Sequence, residues 1–143
     1  MAEQIYYRIV KSELTQFATL TDSYEPTKQL LQQNEMTVSF NPSSSVLSCS
    51  FSVILRDEDE SPLLKATMVC GFEIKRESLD TITQDGEVKF STNVLCHIAS
   101  LTYSSMRGAL SVKAEDTPFR GYVLPLSNVR EHIKTSASFK LGE

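Results

Sequence analysis

Two stretches of strict alternation constrain this chain more than anything else in it. From Val46 to Arg56, Leu47, Cys49, Phe51, Val53 and Leu55 share one side, while Ser48, Ser50, Ser52, Ile54 and Arg56 share the other. From Leu64 to Lys75 the pattern repeats: Leu64, Ala66, Met68, Cys70, Phe72 and Ile74 lie opposite Lys65, Thr67, Glu73 and Lys75. A period of two with one polar side marks a strand buried on one face only. Between the two runs, Asp57-Glu58-Asp59-Glu60-Ser61-Pro62 reads as a charged turn, so the strands should form a hairpin. A hairpin with one apolar face is not stable alone in water. It needs more strands and something to cover that face.

Further strands are at hand. Met36, Val38 and Phe40 alternate with Thr37 and Ser39 and end at Asn41-Pro42 and a serine run, Ser43 to Ser45. This predicts a second hairpin with the Val46 strand. Gln4 to Leu14 also alternates, with Ile5, Tyr7 and Ile9 opposite Tyr6, Arg8 and Val10, and both of its faces are partly apolar. The segment between them, Thr15 to Glu35, is long for a hairpin loop. It carries Phe17, Leu20, Tyr24, Leu30 and Leu31, with a short helical turn expected after Pro26, and reads as a crossover.

The cover is a long helix. Ser91, Thr92 and Asn93 supply N-cap residues, and the helix should stop before Asp116-Thr117-Pro118, because a residue preceding proline is pushed out of the helical region. Leu95, Ile98, Leu101, Met106, Ala109 and Val112 form an apolar edge. Beside it runs a row of small residues, Ser100, Ser104, Gly108 and Ser111, which lets a second neighbour approach closely. Asp85-Gly86 marks a turn ahead of the helix. After it, Tyr122-Val123-Leu124-Pro125-Leu126 is an apolar run broken by proline, which must be buried or serve as a binding surface. Ser127 or Asn128 should cap a short second helix to about Thr135, and residues 136–143 should fray. The expectation is an α+β fold in one domain, residues 1–143: a four-stranded antiparallel sheet with a long crossover, one long helix and a short final helix.

Chemistry is sparse. The chain has 143 residues, 41% hydrophobic and 22% charged, with a net charge of −4. That acidity argues against a duplex-binding surface. No run of about 18 apolar residues is present, so no membrane insertion is expected. The polar start of the chain lacks a signal-peptide core, which leaves the cytoplasm as the expected location. The cysteines, Cys49, Cys70 and Cys96, fit neither a disulfide framework nor a zinc site, and read as reduced core residues. His97 and His132 are the only histidines, and Cys96 and His97, adjacent on a helix, point about 100° apart. Arg107-Gly108 reads as an exposed arginine beside a glycine that permits close packing. No catalytic residue, metal site or cofactor is assigned.

The order of strand, crossover, three meandering strands, long helix and proline-containing apolar loop resembles the SecB type of protein-export chaperone. The likeness is strongest in Ile98-Ala99-Ser100-Leu101 through Ser105-Met106-Arg107-Gly108 and in Leu124-Pro125-Leu126-Ser127-Asn128-Val129, with a weaker echo in Tyr7-Arg8-Ile9-Val10 through Glu13-Leu14. The resemblance implies a cytoplasmic, ATP-independent holdase that assembles as a dimer of dimers, with the Ser100, Ser104, Gly108 and Ser111 face between protomers. It implies a client groove lined by Phe17, Leu20, Tyr24, Phe119, Tyr122, Leu124 and Leu126, and unfolded preproteins as partners.

Glu13 stands where the family docks the SecA translocase ATPase. Phe17, Lys65 and Ala66 stand where further acids are expected, Val112 to Thr117 is an insertion, and the tail carries Lys140. Some relatives instead hold the antitoxin of a toxin–antitoxin pair. An enzymatic alternative is a hot-dog thioesterase, but there the central helix precedes most strands and carries a catalytic carboxylate. Here Ser91 to Lys113 contains no Asp or Glu. A third reading is an interaction module with one fixed folded partner.

Overall fold

The structure, a computed structural model, describes residues 5–22, 30–122, 124–125, 133 and 136–141. Strands β1 (Tyr7–Thr19), β2 (Leu31–Asn41), β3 (Val46–Arg56) and β4 (Pro62–Ile74) form an antiparallel sheet in the order β1-β4-β3-β2. The central hairpin is as expected: Cys49 lies opposite Cys70 and Phe51 opposite Met68. Every second residue of β3 and β4 is buried. The acidic turn is closed by Asp57, whose Oδ1 accepts hydrogen bonds from the amides of Asp59 and Ser61, both at 2.9 Å. That carboxylate is therefore occupied by backbone. The β2–β3 turn is held by Asn41 Oδ1, which accepts from Ser43 N at 2.9 Å.

The crossover is shorter than the sequence suggested. β1 runs on to Thr19 because β4 is long enough to offer partners as far as Thr19 opposite Leu64. β2 already begins at Leu31, opposite Arg56. Phe17 thus belongs to a strand, not to a connection. Polar Thr15 and Gln16 hid this, because a bulge between Leu14 and Gln16 breaks the alternation, as another does between Ile9 and Lys11. β1 and β2 lie at opposite edges of the sheet. The expected helical turn after Pro26 lies outside the described residues.

After β4 the chain adds elements that alternation alone did not reveal. A short helix α1 (Arg76–Ile82) leads into β5 (Thr83–Gln84) and β6 (Glu87–Phe90). Asp85-Gly86 is the two-residue turn of this hairpin, with φ of 54° and 76°. Both central residues at positive φ match the right-handed twist of the flanking strands. The expected frayed tail is corrected: Ala137–Lys140 forms β7, which pairs with β6. The predicted second helix falls outside the described residues except for Ile133, which is buried and not helical.

Helix α2 (Thr92–Lys113) lies on the apolar face of the main sheet, its first turn capped by Ser91, whose hydroxyl accepts from Val94 N. Leu95, Cys96, Ile98, Ala99, Thr102, Tyr103, Met106 and Leu110 are its buried face. This arc includes Thr102, which is fully buried because its hydroxyl donates to Ile98 O at 2.9 Å. Val112 is corrected from the apolar edge to an exposed position, 68% accessible, because it lies about 200° around the helix from Leu110. No helix among the described residues is long and apolar enough to cross a membrane.

Candidate functional site

The structure sorts the expected surface residues into distinct places. The small residues of α2 form its open face: Ser100, Ser104, Gly108 and Ser111 are all exposed. A Cβ placed on Gly108 meets nothing within 4 Å among the described residues. Ser100 and Ser111 donate to the carbonyls of Cys96 and Arg107, at 2.8 and 3.0 Å, which satisfies their hydroxyls without a partner. At one end this face meets β1, where the rings of His97 and Tyr7 lie 6.0 Å apart.

β1 is the edge strand there. Ile9 pairs with Phe72 and so points toward the helix side, yet it is 52% exposed. Tyr6 at 57% and Val10 at 46% add to the apolar surface of this edge. Burial raises the pKa of the Tyr7 phenol. The reading of the sequence missed Ile9 and Val10 as surface features. The signal was present in the two partly apolar faces of the first strand.

The segment after α2 is held differently from expectation. The 3-10 turn Ala114–Asp116 ends at Thr117, whose hydroxyl donates to Ala114 O and accepts from Phe119 N, at 2.8 and 3.1 Å. Arg107 Nε donates to Leu124 O at 2.8 Å, and the Tyr103 phenol donates to Pro125 O at 2.6 Å. Arg107 is thus a tether, not merely an exposed charge. With the backbone fixed, Phe119 is 0% and Leu124 1% exposed. Both side chains, expected in the groove, are buried in the core cluster in this conformation. Tyr122 is half-buried against the core.

Phe17 is also half-buried, while Leu20 is 53% exposed with its amide donating to Leu63 O. Tyr24 and Leu126 lie outside the described residues. The register places Thr19, Leu64, Leu55 and Gln32 in one row, so Leu20 and the 43% exposed Leu31 sit at the same end of the sheet on opposite edges. Beside Leu31 a cavity of about 470 Å³ is lined by Gln32, Gln33, Arg56 and Glu60. Gln32 Nε2 donates to Asn34 Oδ1 at 2.9 Å and to the Tyr103 oxygen at 3.3 Å, while its own Oε1 is buried without a partner among the described residues.

Glu13 is exposed on β1, with Lys11 Nζ 3.9 Å away. The three cysteines are free and buried. Burial pushes the Cys49 thiol up to about 11, against a smaller downward pull from the Thr102 hydroxyl. Cys96 is buried while His97 is exposed, so the two do not form a nucleophile and base. Among the described residues no group of three or more His, Cys, Asp or Glu is placed to hold a metal ion. Among the described residues the surface leaves Tyr6, Ile9, Val10, Leu20, Leu31 and Val112 as exposed large apolar side chains.

No protein-family model matches the sequence, and no curated protein matches it. The fold is similar to that of a solved structure, the Mycobacterium tuberculosis Rv1957 SecB-like chaperone in complex with a ChAD peptide from the Rv1956 HigA1 antitoxin. The TM-score is 0.54 and the identity 13%, over 85% of this chain and 86% of that one.

Proposed function

We propose that this chain, as one SecB-like domain, is an ATP-independent holdase that binds unfolded or export-bound polypeptides along its apolar surface. The observation that carries this reading is the fold shared with a SecB-like chaperone, a four-stranded antiparallel sheet with a long helix on one face. On this chain the fold leaves Ile9, Val10, Leu20 and Leu31 exposed. Native proteins bury most such residues, so exposed apolar side chains along the two edges of the sheet favour chains that have not folded. Leu20 and Leu31 anchor the groove, with Phe17, Tyr122, Tyr24 and Leu126 contributing further contacts.

The same reading makes the Ser100, Ser104, Gly108 and Ser111 face the contact between copies in a homodimer or homotetramer. It makes Glu13 a docking residue for a translocase ATPase, and places the protein in the cytoplasm. A second reading is favoured by the peptide held in the similar structure: a dedicated chaperone of an antitoxin. The hot-dog thioesterase reading loses its central feature, since α2 follows the four main strands and carries no carboxylate.

The test is suppression of aggregation of a chemically unfolded client, without nucleotide, by the parent and by a Leu20→Ser/Leu31→Ser variant. The parent should suppress at stoichiometric amounts and the variant should require several times more. A parent without effect on any unfolded client or candidate antitoxin would refute the proposal.

A further inference from the structure

A second, smaller sheet is built in the order β5-β6-β7, with β7 drawn from the end of the chain. β7 lies along the edge of β6 with Lys140 opposite Glu87, Phe139 opposite Val88 and Ala137 opposite Phe90. Its inward residues, Ala137, Phe139 and Leu141, are half-buried, and its outward ones, Ser138 and Lys140, are exposed. The Phe139 ring sits 6.1 Å from Phe40 and 6.0 Å from Phe90, and Leu141 N donates to Gly86 O at 2.8 Å. Beneath it, Val88 and Phe90 are fully buried. The outward side faces a polar cavity of about 840 Å³, lined among others by Glu87, Lys89 and Ser138. The outward positions Ser138 and Lys140 are exposed, so side chains of different sizes fit there.

The site is therefore selective on one side and tolerant on the other. A strand edge gives backbone bonds to any extended chain, and the Phe40–Phe90 pair takes one aromatic ring. What fills it now is four residues of strand with a single half-buried aromatic, a small return for the conformational entropy of ordering them.

We propose that β7 is an internal client. It occupies a strand-addition groove on β6 that an extended segment of another polypeptide takes in its place, with a small, an aromatic and an aliphatic residue at alternate positions and a basic residue opposite Glu87. This deepens the holdase reading and rests on it for the nature of the partner. While β7 is seated the groove is closed, so affinity for an outside segment is reduced by the fraction of molecules in which β7 is released.

The probe is a fluorescein-labelled synthetic peptide spanning Ser136–Glu143, titrated by anisotropy into the full chain and into its Phe139→Ala variant. The peptide should bind the variant roughly tenfold tighter than the parent, since the weakened β7 competes less. A peptide with Asp in place of the phenylalanine should bind neither. Equal affinity for parent and variant, or binding to neither, overturns the proposal. Should Phe139→Ala not fold, hydrogen exchange on the unmodified chain decides: saturation with an unfolded client should speed exchange at 137–140 and leave 87–90 protected. Client binding with 137–140 still protected sinks the internal-client idea and leaves the holdase reading standing. Peptide discrimination in a chain that holds no unfolded client does the reverse. A dimer that the peptide dissolves would mean that the occupant is β7 of a second copy, and would overturn the assignment to an outside client.

Discussion

The phenol of Tyr103, in the middle of the long helix, donates a 2.6 Å hydrogen bond to the carbonyl of Pro125. Through it the helix fixes the segment that follows, and the neighbouring Arg107–Leu124 bond fixes it again. Tyr103→Phe keeps the ring that packs 5.0 Å from Phe51 and removes the hydroxyl, which donates to Pro125 O and accepts from Gln32 Nε2. Unfolding in urea should show a loss of about 1 kcal/mol. Trypsin should also cleave faster after the exposed Arg120. Unchanged cleavage would mean that the tether does not hold the loop.

Phe119 separates core from groove. It is wholly buried, so Phe119→Ala should cost about 3–5 kcal/mol in equilibrium unfolding, the range for truncating a core aromatic. A loss below about 1 kcal/mol, the cost of a surface change, would return Phe119 to the client surface.

Gly108 discriminates folding from assembly. The space around it is open in the protomer, so Gly108→Leu should leave the fold intact and raise helix stability by up to about 0.8 kcal/mol. If the small-residue face joins two copies, the same change should split the assembly, as sedimentation would record. A variant that assembles like the parent would remove this face from the interface.

Cys49 gives the chain an alkaline weakness. Its thiol titrates near 11 in the fold against 9.0 in a model thiol. The folded state holds this proton more tightly than the unfolded one, so the stabilisation is complete below about pH 9 and is lost as pH rises toward 11. The loss amounts to about 2–3 kcal/mol. Urea unfolding at pH 8 and pH 10.5, compared with Cys49→Val, should show the parent losing more stability than the variant. Parallel losses would contradict the assignment.

The central hairpin and the helix were legible because each had one clean period. Leu47 to Leu55 alternates without interruption, and Ser91 opens α2 where a cap was expected. The ends of β1 and β2 were not legible. Bulges at Val10 and Thr15 shift the alternation, and Gln32 and Asn34 put polar groups on an inward face, where the Gln32 amide donates to both Asn34 Oδ1 and the Tyr103 oxygen. The strand β7 was hidden for another reason. Ala137, Phe139 and Leu141 alternate over too few residues to signal a strand, and only β6 and Phe40 give them a place. Composition marked Phe119, Leu124 and Tyr122 alike as an apolar cluster. The hydrogen bonds from Tyr103 and Arg107 turn Leu124 inward, and no local pattern encodes those long-range contacts.

The claim that the exposed apolar edges select unfolded chains is tested most directly by calorimetry without nucleotide, using one polypeptide in two states. A disulfide-bonded protein in its native form and the same protein reduced and carboxymethylated, so that it stays unfolded, should be titrated in turn. The unfolded form should bind with a negative heat-capacity change, the mark of apolar burial, and the native form should not bind. Equal affinity for both forms, or none for either, would contradict it.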